Sequence, residues 1–357
     1  MNLGVLKETA LNETRVCATP ETVLAYDRMK IKVLVESGAG DKSSVTDQAY
    51  KKAGALIVSR QELWQKADIV IGVRGIEPAE YACLRQGQIL IADFRTSRYP
   101  QRIPLLASSG ATAIALEKMP RISKAQSMDI LSSQNTVAGY KAAIMATNLL
   151  DRMIPMMMTA AGHVKPAQAL VLGAGVAGLQ ALATLKRFGA VVYASDVRLA
   201  AKEQVESLGG IFLNSDQKED FEDLNGYADR VSETYLLELR EQIRKRLSQT
   251  DILITAALSA GREIPLLVTS QMLSLMPSGG VIIDMANGNV EPTNRSDLIR
   301  IGNDSLATLL PVTASRFFAQ NVLNFIQAFG GIRFKIDLKD DIMSAVCVCH
   351  QGAVLER

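Results

Sequence analysis

Histidine is nearly missing: the 357 residues contain two, His163 and His350. A histidine-built metal cage is therefore excluded, and no imidazole base is available in the first 162 residues. Aromatic residues are 5% of the chain, with one Trp, too few for a platform that stacks single-stranded nucleic acid. Neither sign of charge is in excess. Thirty-nine Lys and Arg against 37 Asp and Glu leave +2, without the clustered basic footprint a nucleic-acid partner needs. Long apolar runs are absent too. The most apolar stretch, Met153 to Gly162, is interrupted by Pro155 and is only about half of the ~20 residues a membrane span requires. The opening MNLGVLKETALNETR carries acidic residues and no apolar signal core, so a cytoplasmic location is expected. Four cysteines make no disulfide framework. Cys347, Cys349 and His350 alternate within VCVCH as a strand does, and their spacing is not that of a zinc site. No metal is expected.

What is present is core-forming material, 48% hydrophobic and 21% charged, in a length that suits two domains. Leu3–Leu6, Lys32–Glu36, Asp68–Val73, Gln88–Ala92 and Ala111–Leu116 read as short strands. Between them stand helix starts: Thr19-Pro20-Glu21, Thr46, and Ser59-x-x-Glu62 with the spacing of a capping box. Such alternation implies a parallel sheet covered on both faces. A polar, Ser-rich segment from Arg121 to Gln134 follows, then a helical stretch from about Thr136 to Met153 that reads as an interdomain hinge. A second strand–helix series begins at Gln168, and a helix from about Ala314 to Phe329 returns the chain to the first domain. The expected class is α/β, with two Rossmann-like doubly wound parallel-sheet domains flanking a nucleotide-binding cleft. The expected boundaries are 1–125 for the first domain, completed by 320–357, and 126–319 for the second, with a hairpin at 153–166.

The second series opens with the motif that carries chemistry. Gly173-x-Gly175-x-x-Gly178 follows the strand Ala169–Leu172 and precedes a helix, and Asp196 closes the next strand about 20 residues on. Gly173 allows the tight turn, Gly175 the approach of a pyrophosphate, and Gly178 the close packing of helix on strand. The helix N-terminus then faces the anion. Asp196 suits the ribose hydroxyls of NAD(H) and repels the 2′-phosphate of NADP(H), although Arg198 two residues later weakens that choice. The segment Arg121–Gln134 stays open between two readings. It is either a solvated loop in which Ser127 or Asp129 caps the next helix, or a polar cluster facing the dinucleotide.

RISKAQSMDILSSQ (121–134), PMMMTAAG (155–162), VLGAGVAGLQALATLKRFGAVVYASDVR (171–198), KEQVESLGG (202–210) and Gly226-Tyr227-Ala228 resemble the NAD(H)-binding subunit of proton-translocating NAD(P) transhydrogenases. Lys7-Glu8, Arg15 and Thr19-Pro20-Glu21 resemble it as well, and also its relative alanine dehydrogenase. The resemblance runs to about Phe325. It implies NAD(H) as cofactor and direct hydride transfer to NADP(H) on a partner subunit. It also implies a membrane-embedded subunit that couples transfer to proton movement, so that this chain is peripheral to the inner membrane through its partners. It places Arg121, Ile122, Ser123, Gln126, Asp129 and Ser132 on the nicotinamide side. Val176 becomes the glycine-loop contact, Asp196-Val197-Arg198 the ribose triplet, and Gly226 and Tyr227 a mobile lid. Leu258, after a strand, takes a further cofactor position.

Hydride exchange between two nicotinamides moves no proton at the reacting carbons, so these residues are expected to orient rather than to act as acid or base. Gln126 is expected to face the nicotinamide and Arg121 its carboxamide or a phosphate. Asp129 and Ser132 are expected at the ribose or the partner. The resemblance further implies a homodimer through the 153–166 hairpin. Two departures stand near the nicotinamide side: Asn287-Gly288-Asn289-Val290 is a shortened form of the family's glycine-pair segment, and Leu309 to Arg316 differs as well. The alternatives are an alanine dehydrogenase-like oxidoreductase, with Arg15 and Arg74 near its expected cationic positions, and a non-catalytic NAD-binding regulatory paralogue.

Overall fold

Short apolar runs bounded by capped helices build two sheets and one hairpin. The computed structural model describes residues 1–213, 221, 233–258, 264–303 and 305–355. It divides into a first unit, Met1–Gln134 with Thr308–Arg357, and a second, Asn135–Ala307. In chain order the strands are β1 (Asn2–Val5), β2 (Lys32–Glu36), β3 (Leu56–Val58), β4 (Ile69–Arg74), β5 (Ile89–Asp93) and β6 (Thr112–Ala115). Then come β7 (Met157–Thr159), β8 (Gly162–Val164), β9 (Gln168–Leu172), β10 (Val191–Ser195), β11 (Ile211–Phe212), β12 (Ile252–Thr255), β13 (Val281–Asp284) and β14 (Ile299–Gly302). β15 (Cys347–His350) and β16 (Ala353–Val354) close the chain.

The first unit carries the sheet β16-β15-β6-β5-β4-β1-β2-β3. β1 through β6 pair in parallel, and β15 and β16 add an antiparallel edge. Strand residues alternate between two cores, as the period of two demands. Leu3, Val5, Ile69 and Ile71 face one, with Phe318, Val322 and Phe325 of the helix Pro311–Ala328. Leu6, Val70, Leu90 and Ala113 face the other, with Leu63 and Trp64 of the helix Arg60–Lys66. The strand expected from the VCVCH alternation is β15, with Cys347 and Cys349 buried and the His350 ring bonded to Thr112.

Helix starts follow their capping residues. Thr19 and Thr22 cap reciprocally, and Thr46 accepts from Ala49 N–H. Ser59 accepts from Glu62 N–H, but the Glu62 carboxylate pairs with Lys66, so only half of the expected capping box forms.

The second unit carries the parallel sheet β11-β10-β9-β12-β13-β14. Leu170, Leu172, Leu253 and Ile282 bury one face under Leu239, Ile243 and Leu247. The helices Val176–Arg187 and Glu233–Leu247 are among its crossovers. Apart from both sheets, β7 and β8 pair as an antiparallel hairpin in which every residue is exposed.

The expected boundaries at 125/126 and 319/320 are displaced to 134/135 and 307/308. Side-chain amides are the reason. Asn321 and Asn324 both donate to Ser127 O at 2.8 Å, Ser133 Oγ donates to Asn321 Oδ1 at 2.6 Å, and Gln134 Nε2 donates to Ala314 O at 3.0 Å. These bonds tie both the polar segment and the returning helix to the first unit. The hinge helix starts earlier than expected and spans Ile130–Leu149.

Candidate functional site

In the second unit β9 lies between β10 and β12, so its carboxyl end is the topological switch point where open α/β sheets take ligands. The glycine turn sits there. Gly173 has φ +92°, and a Cβ on it would fall 2.8 Å from the carbon and nitrogen of the Ala256–Ala257 peptide. A Cβ on Gly178 would fall 1.8 Å from Gly173 O. Gly175 precedes the helix Val176–Arg187, and a Cβ there would meet nothing within 4 Å. The turn therefore packs tightly behind and leaves open space in front of Gly175 at a helix start. That cradle fits a diphosphate. Val176, in the first turn, is 38% exposed.

Asp196 is buried at the end of β10 and is already engaged. Its Oδ2 accepts from Ala174 N–H at 2.7 Å and Arg198 Nη2 at 2.9 Å, and its Oδ1 accepts from Arg198 N and Nε, each at 2.9 Å. Arg198 Nη2 also reaches Ala174 O at 3.3 Å. The acid, the glycine turn and the arginine thus form one latch, with half-buried Val197 between its ends. The carboxylate expected to meet ribose hydroxyls already accepts from Ala174 and Arg198.

The polar segment is a 3₁₀ turn over Ser123–Met128. Ala125 and Met128 are buried at a spacing of three, while Ser123 and Gln126 stand on the exposed side at the same spacing. Arg121 and Ile122 are exposed as well. Asp129 accepts from Ser132 N–H at 3.0 Å and from Ser132 Oγ at 2.6 Å, the bonding of a helix cap. Asp129 caps as the first reading expects, while 121–123 and Gln126 are exposed. Leu258 is 55% exposed just beyond β12. Gly226 and Tyr227 lie outside the described residues.

In the first unit a buried charge network went unread in the sequence. Glu13 grips Arg15 at both oxygens (2.7 and 2.6 Å) and accepts from Arg74 Nε at 3.1 Å, while Arg74 also pairs with Asp93. Arg15 Nη1 donates to Gln134 Oε1 at 2.8 Å. Glu8 accepts from Val73 N–H at 2.6 Å and Arg74 N–H at 3.2 Å. Burial works to raise the Glu13 carboxyl, but the Arg15 bonds and charge, joined by Arg74, hold it below its ordinary range. Burial pushes Glu8 up to about 8, and burial with the Asp93 charge pushes Glu117 up to about 7. Arg15 and Arg74 are visible in the sequence as cations. The carboxylate partners of Arg74 carry no spacing signal, because Asp93 is 19 residues away and Glu13 is 61; Glu13 lies two residues from Arg15. Among the described residues no group of three or more His, Cys, Asp or Glu is placed to hold a metal ion, and no helix is long and apolar enough to cross a membrane.

Two family models match nearly the whole chain: Alanine dehydrogenase/PNT, N-terminal domain, over residues 4–138, and Alanine dehydrogenase/PNT, C-terminal domain, over 142–357. The chain is 40% identical to an NAD(P) transhydrogenase alpha-subunit chain of Rhodospirillum rubrum, over 99% of this chain and 98% of that one. It is 31% identical to alanine dehydrogenase of Mycobacterium tuberculosis, over 80% of this chain and 72% of that one. Among solved structures it is similar to the transhydrogenase from Sinorhizobium meliloti, with a TM-score of 0.86, 37% identity and 99% coverage of both chains. An L-alanine dehydrogenase structure shares the fold, with a TM-score of 0.80 at 24% identity, covering 99% of this chain and 97% of that one. A strand–glycine turn–helix at a switch point, latched by an acid and an arginine, thus stands in a chain that belongs to the Alanine dehydrogenase/PNT family and is similar over its length to NAD(P) transhydrogenase alpha subunits.

Proposed function

We propose that this chain is the NAD(H)-binding subunit of a proton-translocating NAD(P) transhydrogenase and passes hydride to NADP(H) held by a partner subunit. The observation that carries the reading is the bare glycine turn at the β9 switch point with Asp196 latched beside it. Gly173, Gly175, Val176 and Gly178 would hold the pyrophosphate, and Asp196, Val197 and Arg198 the adenosine ribose. A bound NADH supplies the hydride. The chain's own task is to fix the ring without acid or base. Gln126 is assigned to the nicotinamide, since its amide donates and accepts without adding charge. Arg121, Ile122 and Ser123 are assigned beside it, and Asp129 and Ser132 to the ribose or the partner. Gly226 with Tyr227, and Leu258, complete the assignment.

Against an amination of an oxo acid stand the two candidate substrate cations. Arg15 and Arg74 are each committed to buried or part-buried carboxylates. A homodimer through 153–166 is part of the proposal. Met156 and Met158 are 66% and 80% exposed on the hairpin, a display of apolar surface that suits a second copy. Cytoplasmic placement against the inner membrane follows from the proposed membrane-embedded partner.

The test is reconstitution with an NADP(H)-binding subunit and a membrane subunit of the same family. NADH-dependent reduction of an NADP⁺ analogue is the expected result. Tight NADH binding with no transfer would instead favour a regulatory paralogue, and NADH-dependent reductive amination of pyruvate would favour the dehydrogenase.

A further inference from the structure

The shortened turn after β13 contains one fully buried amide side chain, Asn289, at 0% exposure. Its Oδ1 accepts from Ala257 N–H at 3.1 Å, and its Nδ2 donates to Ala257 O at 3.0 Å and Pro265 O at 2.8 Å. The side chain therefore grips Ala257 at donor and acceptor together, as a neighbouring strand would. Its own carbonyl accepts from Leu267 N–H at 2.8 Å and Val268 N–H at 3.0 Å. The turn that presents it is anchored by Asp284, also at 0% exposure, which accepts from Thr255 Oγ1 at 2.9 Å and Val290 N–H at 3.2 Å. Asn289 is thus held rigidly from behind and holds Ala257 rigidly in front.

The Ala256–Ala257 peptide is also the surface on which Gly173 rests, with no room for a Cβ between them. On its other side, Ala256 N–H donates to Leu172 O at 2.8 Å. A continuous stack runs from the β13 turn through the peptide after β12 to the glycine turn after β9. Leu258 is the next residue along the gripped peptide. We infer that Asn289 is a positioning residue for the dinucleotide loop. It sets the Ala257 peptide, and through it the height of the glycine turn and the place of Leu258. The inference rests on the NAD(H) reading. It also gives the shortened segment a role, since the buried amide does its bracing within the shorter turn.

Asn289→Asp keeps the shape and the acceptor but removes both donors and sets an anion against two carbonyls; Asn289→Ala removes the grip entirely. Each variant is titrated with NADH, ADP-ribose and adenosine, alongside its thermal unfolding. A positioning role predicts at least about a tenfold loss of affinity for the two diphosphate ligands, because losing even one charge-assisted bond to phosphate is that costly. Adenosine, which carries no phosphate, should keep its affinity. A uniform loss across all three ligands, or unchanged NADH affinity in a folded variant, overturns the inference.

Should neither variant fold, amide exchange of the wild-type chain decides. NADH and ADP-ribose, but not adenosine, should protect the Ala257 amide together with those of residues 174–176. Protection of the loop amides without Ala257 overturns the coupling. A wild-type chain that binds adenosine but neither diphosphate overturns the cofactor reading and the inference with it. NADH binding with uncoupled exchange overturns the inference alone.

Discussion

The two units share one strand order and use it oppositely. Around β1 the order is β3-β2-β1-β4-β5-β6; around β9 it is β11-β10-β9-β12-β13-β14. In both, an acid at the end of the second strand accepts from a backbone N–H just after the first and pairs with an arginine. Glu36 takes Lys7 N–H at 2.8 Å and Arg60, as Asp196 takes Ala174 N–H at 2.7 Å and Arg198. From that shared latch the loops diverge. After β9 the chain offers glycine and open space. After β1 it offers Lys7-Glu8, and the Glu8 carboxylate itself takes the Val73 and Arg74 amides. The crevice there keeps about 10 Å³, room for roughly one water. Topology makes a crevice in each sheet. In the first an internal carboxylate fills it; in the second the glycine turn leaves open space.

The comparison breaks most visibly at Glu13. Glu13→Ala should cost about 3–5 kcal/mol, because buried Arg15 loses its partner and Arg74 one of its two. Urea unfolding measures this, and a loss below about 1 kcal/mol would mean that the first unit's network is not structural. NADH affinity should hardly change. The second unit should respond in the reverse sense. Gly178→Ala drives a methyl into Gly173 O, costs about 1–3 kcal/mol of stability and should weaken NADH by about tenfold or more, the worth of one charge-assisted bond to phosphate, read by fluorescence titration.

Asp196→Ala sharpens the latch itself. Lost charge-assisted bonds should weaken NADH by about 1.5–3 kcal/mol, and with Arg198 released from its carboxylate the preference over NADPH should narrow. Unchanged discrimination would move specificity elsewhere. The last effect is in pH. Glu8 is an acid whose folded value is raised to about 8 from 4.5, so the folded chain binds more protons than the unfolded one between those values. Its contribution to stability is present at and below about pH 4.5 and is lost as pH rises to about 8. The unfolding midpoint should fall as pH rises over that range, and Glu8→Gln should flatten the drift.

Much of this was legible in the residues because its partners are close in sequence. The strand, glycine turn, helix and acid of 169–196 are contiguous, and Gly178 answers to a local steric demand, the Gly173 carbonyl. Thr19, Thr46 and β15 were equally readable from capping and alternation. The unit boundaries were not. They depend on Asn321 and Asn324 meeting Ser127 across 194 and 197 residues, and no periodicity announces such a bond. Ser59 shows the limit even of local rules, since Glu62 has two possible partners and takes Lys66.

The sequence by itself therefore determined the α/β class and the glycine turn, properties of short windows whose geometry follows from sterics and capping, and its motifs resembled those of the family. Only the tertiary structure decided that Asp196 shares its oxygens with Ala174 and Arg198, that Glu8 takes the Val73 and Arg74 amides, and that Asn289 bonds Ala257 at donor and acceptor. In each case the deciding partner is a backbone amide, carbonyl or guanidinium whose side of the sheet is set by strand order, and strand order is chosen by the burial of both faces together.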